Sequence, residues 1–131
     1  MASGTLIVHQ RHAKGKFSYI PPLFIVYPET VYIDASADIS FGRGVDISRG
    51  VTILTHEHDH SKGVLIEDSA VELIPLEIGD GVFIGVNALI APMVRKIGAH
   101  AVIGAGSVLT KDVGENEIWA GNPARFIKMR T

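Results

Sequence analysis

The sequence has no cysteine, few aromatic residues (7%) and no apolar run long enough to cross a membrane, and each shortage removes a class of explanation. Without cysteine there is neither a disulfide framework nor a thiolate metal site, which leaves imidazole and carboxylate as the only side chains suited to ligation. A spanning helix needs about 20 apolar residues, so membrane insertion is not expected. The opening MASGTLIVHQRHAKGK carries charges where a secretory leader needs its apolar centre, and a cytoplasmic protein is expected. Positive charge is also scarce: a formal net charge of -2 over 131 residues argues against a nucleic-acid binder. What is present is 47% hydrophobic and 20% charged, a single domain by length and small enough to lean on partner chains for buried surface.

The positive signal is a repeat. An aliphatic residue returns every sixth position at Ile33, Ile39, Val45 and Val51, resumes at Ile78, Ile84 and Ile90, and slips by one residue to Ile97, Ile103 and Leu109. Small or acidic residues follow it, as in IDASAD, VDISRG, IGVNAL and IGAGSV. A period of six fits neither a helix nor a hairpin meander, yet it is a multiple of the strand period. Short strands joined by tight corners satisfy it, with the aliphatics stacked inward from coil to coil. Gly79, Gly85, Gly98 and Gly104 then read as corner residues, since no strand, loop and helix surround them to make a phosphate cradle. Between the repeat blocks, from about residue 57 to 76, the hexads stop and polar residues gather, which predicts a loop extruded from one edge.

That break begins with ILTHEHDHSKG, which holds three of the six histidines. Residue chemistry alone leaves three readings: a divalent-metal site on one strand face, a general base with neighbours, or a solvated loop.

The repeats, followed by GAGSV, TKDV and AGNPAR in that order, resemble the hexapeptide-repeat acyltransferases, most nearly the sugar O-acetyltransferases of the maltose, galactoside and exopolysaccharide groups. The resemblance covers about residues 31–130. It implies an all-β fold, a left-handed parallel β-helix spanning 31–131, with residues 1–30 as an extended lead-in that Pro21, Pro22 and Pro28 keep from being helical. It also implies an acetyl-CoA-dependent transferase acting on a sugar or nucleotide-sugar, homotrimeric, with sites between subunits and no resident metal. Aligned to the family pattern, His58 takes the position of the catalytic base, a choice also reached by counting seven residues from Val51. Asp59 is then a candidate to orient it, and His56 and His60 are candidate acceptor contacts. The resemblance places the backbone N–H of Val86 against the developing oxyanion. It places Ala105, Thr110, Lys111, Arg125 and Lys128 along the cofactor, and Trp119 is expected to pack the coil. Two other readings stand beside this one: a non-catalytic β-helix scaffold, and a metal-dependent hydratase like the γ-class carbonic anhydrases. The second is disfavoured because only His100 was expected to add to His56, His58 and His60, with His9 and His12 at the surface. One extra residue in PMVRK predicts a bulge that re-aims Met93 or Arg95.

Overall fold

The computed structural model describes residues 4–131. A strand that must turn after two or three residues cannot bury a face by itself, so stability comes from stacking one coil on the next. Three strands make each early coil. The first holds β1 (Val8–His9), β2 (Phe17–Tyr19) and β3 (Leu23–Ile25); the second β4 (Tyr32–Asp34), β5 (Ile39–Phe41) and β6 (Val45–Ile47). After β7 (Thr52–Ile53) the chain leaves through β8 (His56–His58) and β9 (Val71–Leu73), then completes the third coil with β10 (Leu76–Ile78) and β11 (Phe83–Ile84). The fourth coil is β12 (Leu89–Ile90), β13 (Lys96–Ile97) and β14 (Val102–Ile103). The fifth has β15 (Val108–Leu109), a bridge from Val113 to Ile97, and β16 (Glu117–Gly121), on which β17 (Ala124–Met129) folds back antiparallel.

Like strands stack into three sheets: β1-β4-β7-β12-β15, β2-β5-β10-β13, and β3-β6-β11-β14-β16-β17, parallel except for the final hairpin. The inner wall is continuous, with Ile33, Ile53, Ile90 and Leu109 wholly buried on one side and Ile47, Ile84 and Ile103 on another. At Gly85 an added Cβ would lie 2.6 Å from the Ala105 nitrogen, so the close approach of neighbouring corners requires glycine there.

The pairing corrects the expected column by two residues. Ile78, Ile84 and Ile90 stack on Phe41, Ile47 and Ile53, not on Ile39, Val45 and Val51. Both rows face inward because residues two apart share a strand face, and both are buried, so periodicity alone does not separate them. The count that selected His58 began from Val51, which belongs to the other row.

Three local expectations also change. The lead-in is extended, but it is paired: β1, β2 and β3 lie in register on β4, β5 and β6, so the solenoid begins at Val8 and not at residue 31. Residues 1–3 of that segment lie outside the described residues. The extruded loop has a stem, in which β8 and β9 pair antiparallel with His56 opposite Leu73 and His58 opposite Val71. The extra residue before Ile97 is absorbed in the turn at Pro92 and Met93. Val94 remains buried, Arg95 N–H and Lys96 N–H donate to the Asp112 carboxylate at 2.7 and 3.3 Å, and register is restored at Ile97.

Candidate functional site

The site grows from a polar knot where coils two and three meet. Asp34 ends β4 and is 1% exposed, an expensive position for a carboxylate unless every lone pair is used. Its Oδ1 accepts from the Ser36 amide at 3.1 Å and hydroxyl at 2.6 Å; its Oδ2 accepts from the Thr55 amide at 3.0 Å. Thr55, itself buried, donates its hydroxyl to Asp34 O at 2.8 Å and accepts from Ala37 N–H at 3.0 Å, which ties the two coils together. The Thr55 hydroxyl also lies 3.3 Å from Oδ2, and the contact with chemistry in it is His56 Nδ1, 2.6 Å from Asp34 Oδ2. Burial pushes the Asp34 pKa up, but the hydrogen bonds from Ser36, His56 and Thr55 outweigh it and hold the carboxyl below its ordinary value. An ionised Asp34 only accepts, so His56 Nδ1 carries the proton and Nε2 keeps its lone pair.

His58 is oriented by a neutral group. Its Nδ1 lies 3.0 Å from Ser69 Oγ, and that hydroxyl gives its one hydrogen to Ile66 O at 2.5 Å. His58 Nδ1 must therefore donate to Ser69, and its free lone pair is also on Nε2. Asp59 does not orient it. The carboxylate turns to Ser61, accepting from the hydroxyl at 2.6 Å and the amide at 2.8 Å, and those bonds hold its pKa below the ordinary value. His60 is exposed and, with Glu57, His58, Asp59, Ser61, Ala70, Val71 and Glu72, lines an open cavity of about 530 Å³ on the hairpin.

Four contributors were not foreseen in the sequence: Asp34, Thr55, Ser69 and His12. His12, expected at the surface, is half-buried against the pair, its ring 4.2 Å from that of His56 and 5.1 Å from that of His58. Its amide reaches Ser36 Oγ at 3.3 Å, which explains how the first coil delivers it there. Burial, followed by the charges of His56, His58 and Arg11, lowers its pKa.

Of the expected cofactor residues, Ala105 lies exposed at the corner after β14, beside Val86 on the preceding coil; Gly106 N–H donates to Val86 O at 2.7 Å. Val86 N–H donates to no backbone carbonyl among the described residues. Thr110 and Lys111 follow β15, while Arg125 and Lys128 both lie on β17, exposed and outside any ion pair among the described residues. Trp119 packs partly buried against the core, with Nε1–H donating to Glu117 at 3.1 Å.

A three-sheet parallel solenoid with an ionisable pair beside an extruded hairpin defines a class, and comparison with known proteins places the chain within it. No family model matches. The galactoside O-acetyltransferase of Escherichia coli K12 is 32% identical over 121 residues, covering 82% of this chain and 58% of that protein. A maltose O-acetyltransferase from Clostridium difficile 630 superposes with a TM-score of 0.68 at 29% identity, over 90% of this chain and 69% of the other. A galactoside acetyltransferase in complex with coenzyme A superposes at 0.67 and 27% identity, over 88% and 66%. The chain belongs to the hexapeptide-repeat acetyltransferase family. It spans 58% of the length of the E. coli relative.

Proposed function

We propose that the protein is an acetyltransferase that moves an acetyl group from acetyl-CoA to a hydroxyl or amine of a sugar or nucleotide-sugar, with His56 as general base. The observation that carries this reading is the 2.6 Å contact between His56 and the buried Asp34, in a solenoid whose relatives include galactoside and maltose O-acetyltransferases. His58, the residue favoured by the sequence pattern, has a neutral serine hydrogen-bonded behind it in place of a carboxylate. His56 has one.

The step balances as follows. The acceptor oxygen attacks the thioester carbonyl while His56 Nε2 takes its proton, and Asp34 stabilises the imidazolium that results. Negative charge on the carbonyl oxygen meets the Val86 N–H. The C–S bond then breaks, and the proton passes from His56 to the departing thiolate, leaving an acetylated acceptor and coenzyme A. Acetyl-CoA lies along Ala105, Thr110 and Lys111, with its phosphates near Arg125 and Lys128; a lysine at 128 supplies charge without a bidentate fork. Asp59, His58 and His60 face the acceptor from the hairpin cavity. In the same reading the coils wind left-handed, three chains assemble with sites between them, and the protein works in the cytoplasm.

The test is a panel of nucleotide-sugars and free sugars incubated with acetyl-CoA, following thiol release. Release that depends on an acceptor supports the proposal; binding of acetyl-CoA without release to any acceptor counts against it.

A further inference from the structure

We propose that His12, His56 and His58 form a binding site for one divalent transition-metal ion of the zinc type, and that its occupancy excludes acetyl transfer. One ring nitrogen from each of the three can be chosen so that all lie within 4.8 Å of one another. The three rings converge, with centroids 4.2, 5.1 and 5.3 Å apart. A tetrahedral zinc site with bonds of about 2.0–2.1 Å puts its nitrogens roughly 3.4 Å apart, so the three rings draw closer together when the ion binds.

The groups behind the rings are those a metal site requires. Metal-bound histidine gives its other ring N–H to a carboxylate or another acceptor, which fixes the tautomer and raises ligand basicity. Here Asp34 stands behind His56 at 2.6 Å and Ser69 behind His58 at 3.0 Å, and both leave the Nε2 lone pair free. The first coil carries the third ligand, and two contacts hold it in place. The His12 amide bonds Ser36, and Arg11 donates from Nη2 to both carboxylate oxygens of Glu67 across the loop at 3.0 and 2.8 Å. Imidazole donors without thiolate or a carboxylate cage favour zinc, cobalt, nickel or copper over magnesium and calcium. Three ligands leave a fourth position open.

A metal at this point takes the lone pair that would otherwise accept the acceptor's proton. The exclusion therefore rests on His56 being the base, whereas binding does not. The experiment is calorimetric titration of chelator-treated protein with zinc chloride and, separately, magnesium chloride, with a cobalt titration followed by visible absorption and a parallel assay of acetyl transfer. The expected result is one zinc per chain, no magnesium binding, tetrahedral cobalt bands, and transfer lost in proportion to occupancy and restored by chelator. His12→Ala and His12→Gln should weaken zinc by at least about tenfold while melting as folded proteins, and His60→Ala should leave zinc affinity unchanged. Failure of zinc to bind saturably, or zinc affinity in both His12 variants equal to that of the unsubstituted protein, overturns the metal site and leaves the base assignment standing. Full zinc occupancy with undiminished transfer overturns the exclusion and the His56 assignment together.

Discussion

The inner wall of the solenoid and the corner beside the hairpin solve opposite problems with the same backbone. Along the wall, Ile47, Ile84 and Ile103 are interchangeable units, each buried by its neighbours above and below, and no single one is special. At the corner nothing repeats: Asp34, Thr55, His56, His58, Ser69 and His12 come from four separate stretches, and Asp34, Thr55 and the Nδ1 atoms of His56 and His58 each have a particular partner. A wall of stacked aliphatics supplies rigidity at low informational cost. The corner uses that rigidity to hold an ionised carboxylate where water does not reach it.

The contrast predicts that wall and corner fail differently. Ile84→Ala should cost about 2–5 kcal/mol of stability through lost burial and an incompletely collapsed cavity, read by thermal or denaturant unfolding, with turnover per folded molecule unchanged. Asp34→Asn should cost less, about 1–3 kcal/mol from disturbed buried hydrogen bonds, but should lower turnover as well, because His56 loses its charged partner. Acid discriminates further. Asp34 has a folded pKa below its ordinary 3.8, so its contribution is complete above that value and disappears as pH falls through the folded one. His12 is also held below its ordinary 6.5, so the folded state resists protonation and acidification starts to destabilise below that point. Melting temperature should therefore fall in two stages below neutrality, and Asp34→Asn should shrink the lower one, to which Asp59 also contributes. Arg125→Ala should weaken acetyl-CoA by about tenfold, equivalent to roughly 1.4 kcal/mol, with turnover at saturation retained. Least affected is Arg11→Ala, which breaks an ion pair whose side chains are 66% and 72% exposed; its stability effect should stay within about 1 kcal/mol.

Wall and corner also differ in how far the sequence discloses them. The six-residue period reveals the solenoid, and the break in it reveals the hairpin, because stacking imposes the same demand on every coil. The period leaves register open by two residues, since Val51 and Ile53 are both buried and both aliphatic. That ambiguity and the family pattern together favour His58. Asp34 passed as an ordinary acidic residue after Ile33, and only the pairing of Ile33 with Ile53 brings its carboxylate to Thr55 and His56. His12 belongs to the first coil, on the long step from Val8 to Phe17 that departs from six-residue spacing, so periodicity gives no reason to stack that part of the coil under the site. A reader who had carried the strand pattern back to Val8 would have placed His12 one corner below His56.

The most direct measurement is the turnover of His56→Ala and His58→Ala side by side, with acetyl-CoA affinity measured on both. The charged pair predicts that His56→Ala loses about 10²–10⁴ in turnover with affinity for acetyl-CoA unchanged, while His58→Ala loses much less. Near-normal turnover in His56→Ala, with the large loss in His58→Ala, would contradict the assignment and return the base to the residue the sequence pattern favours.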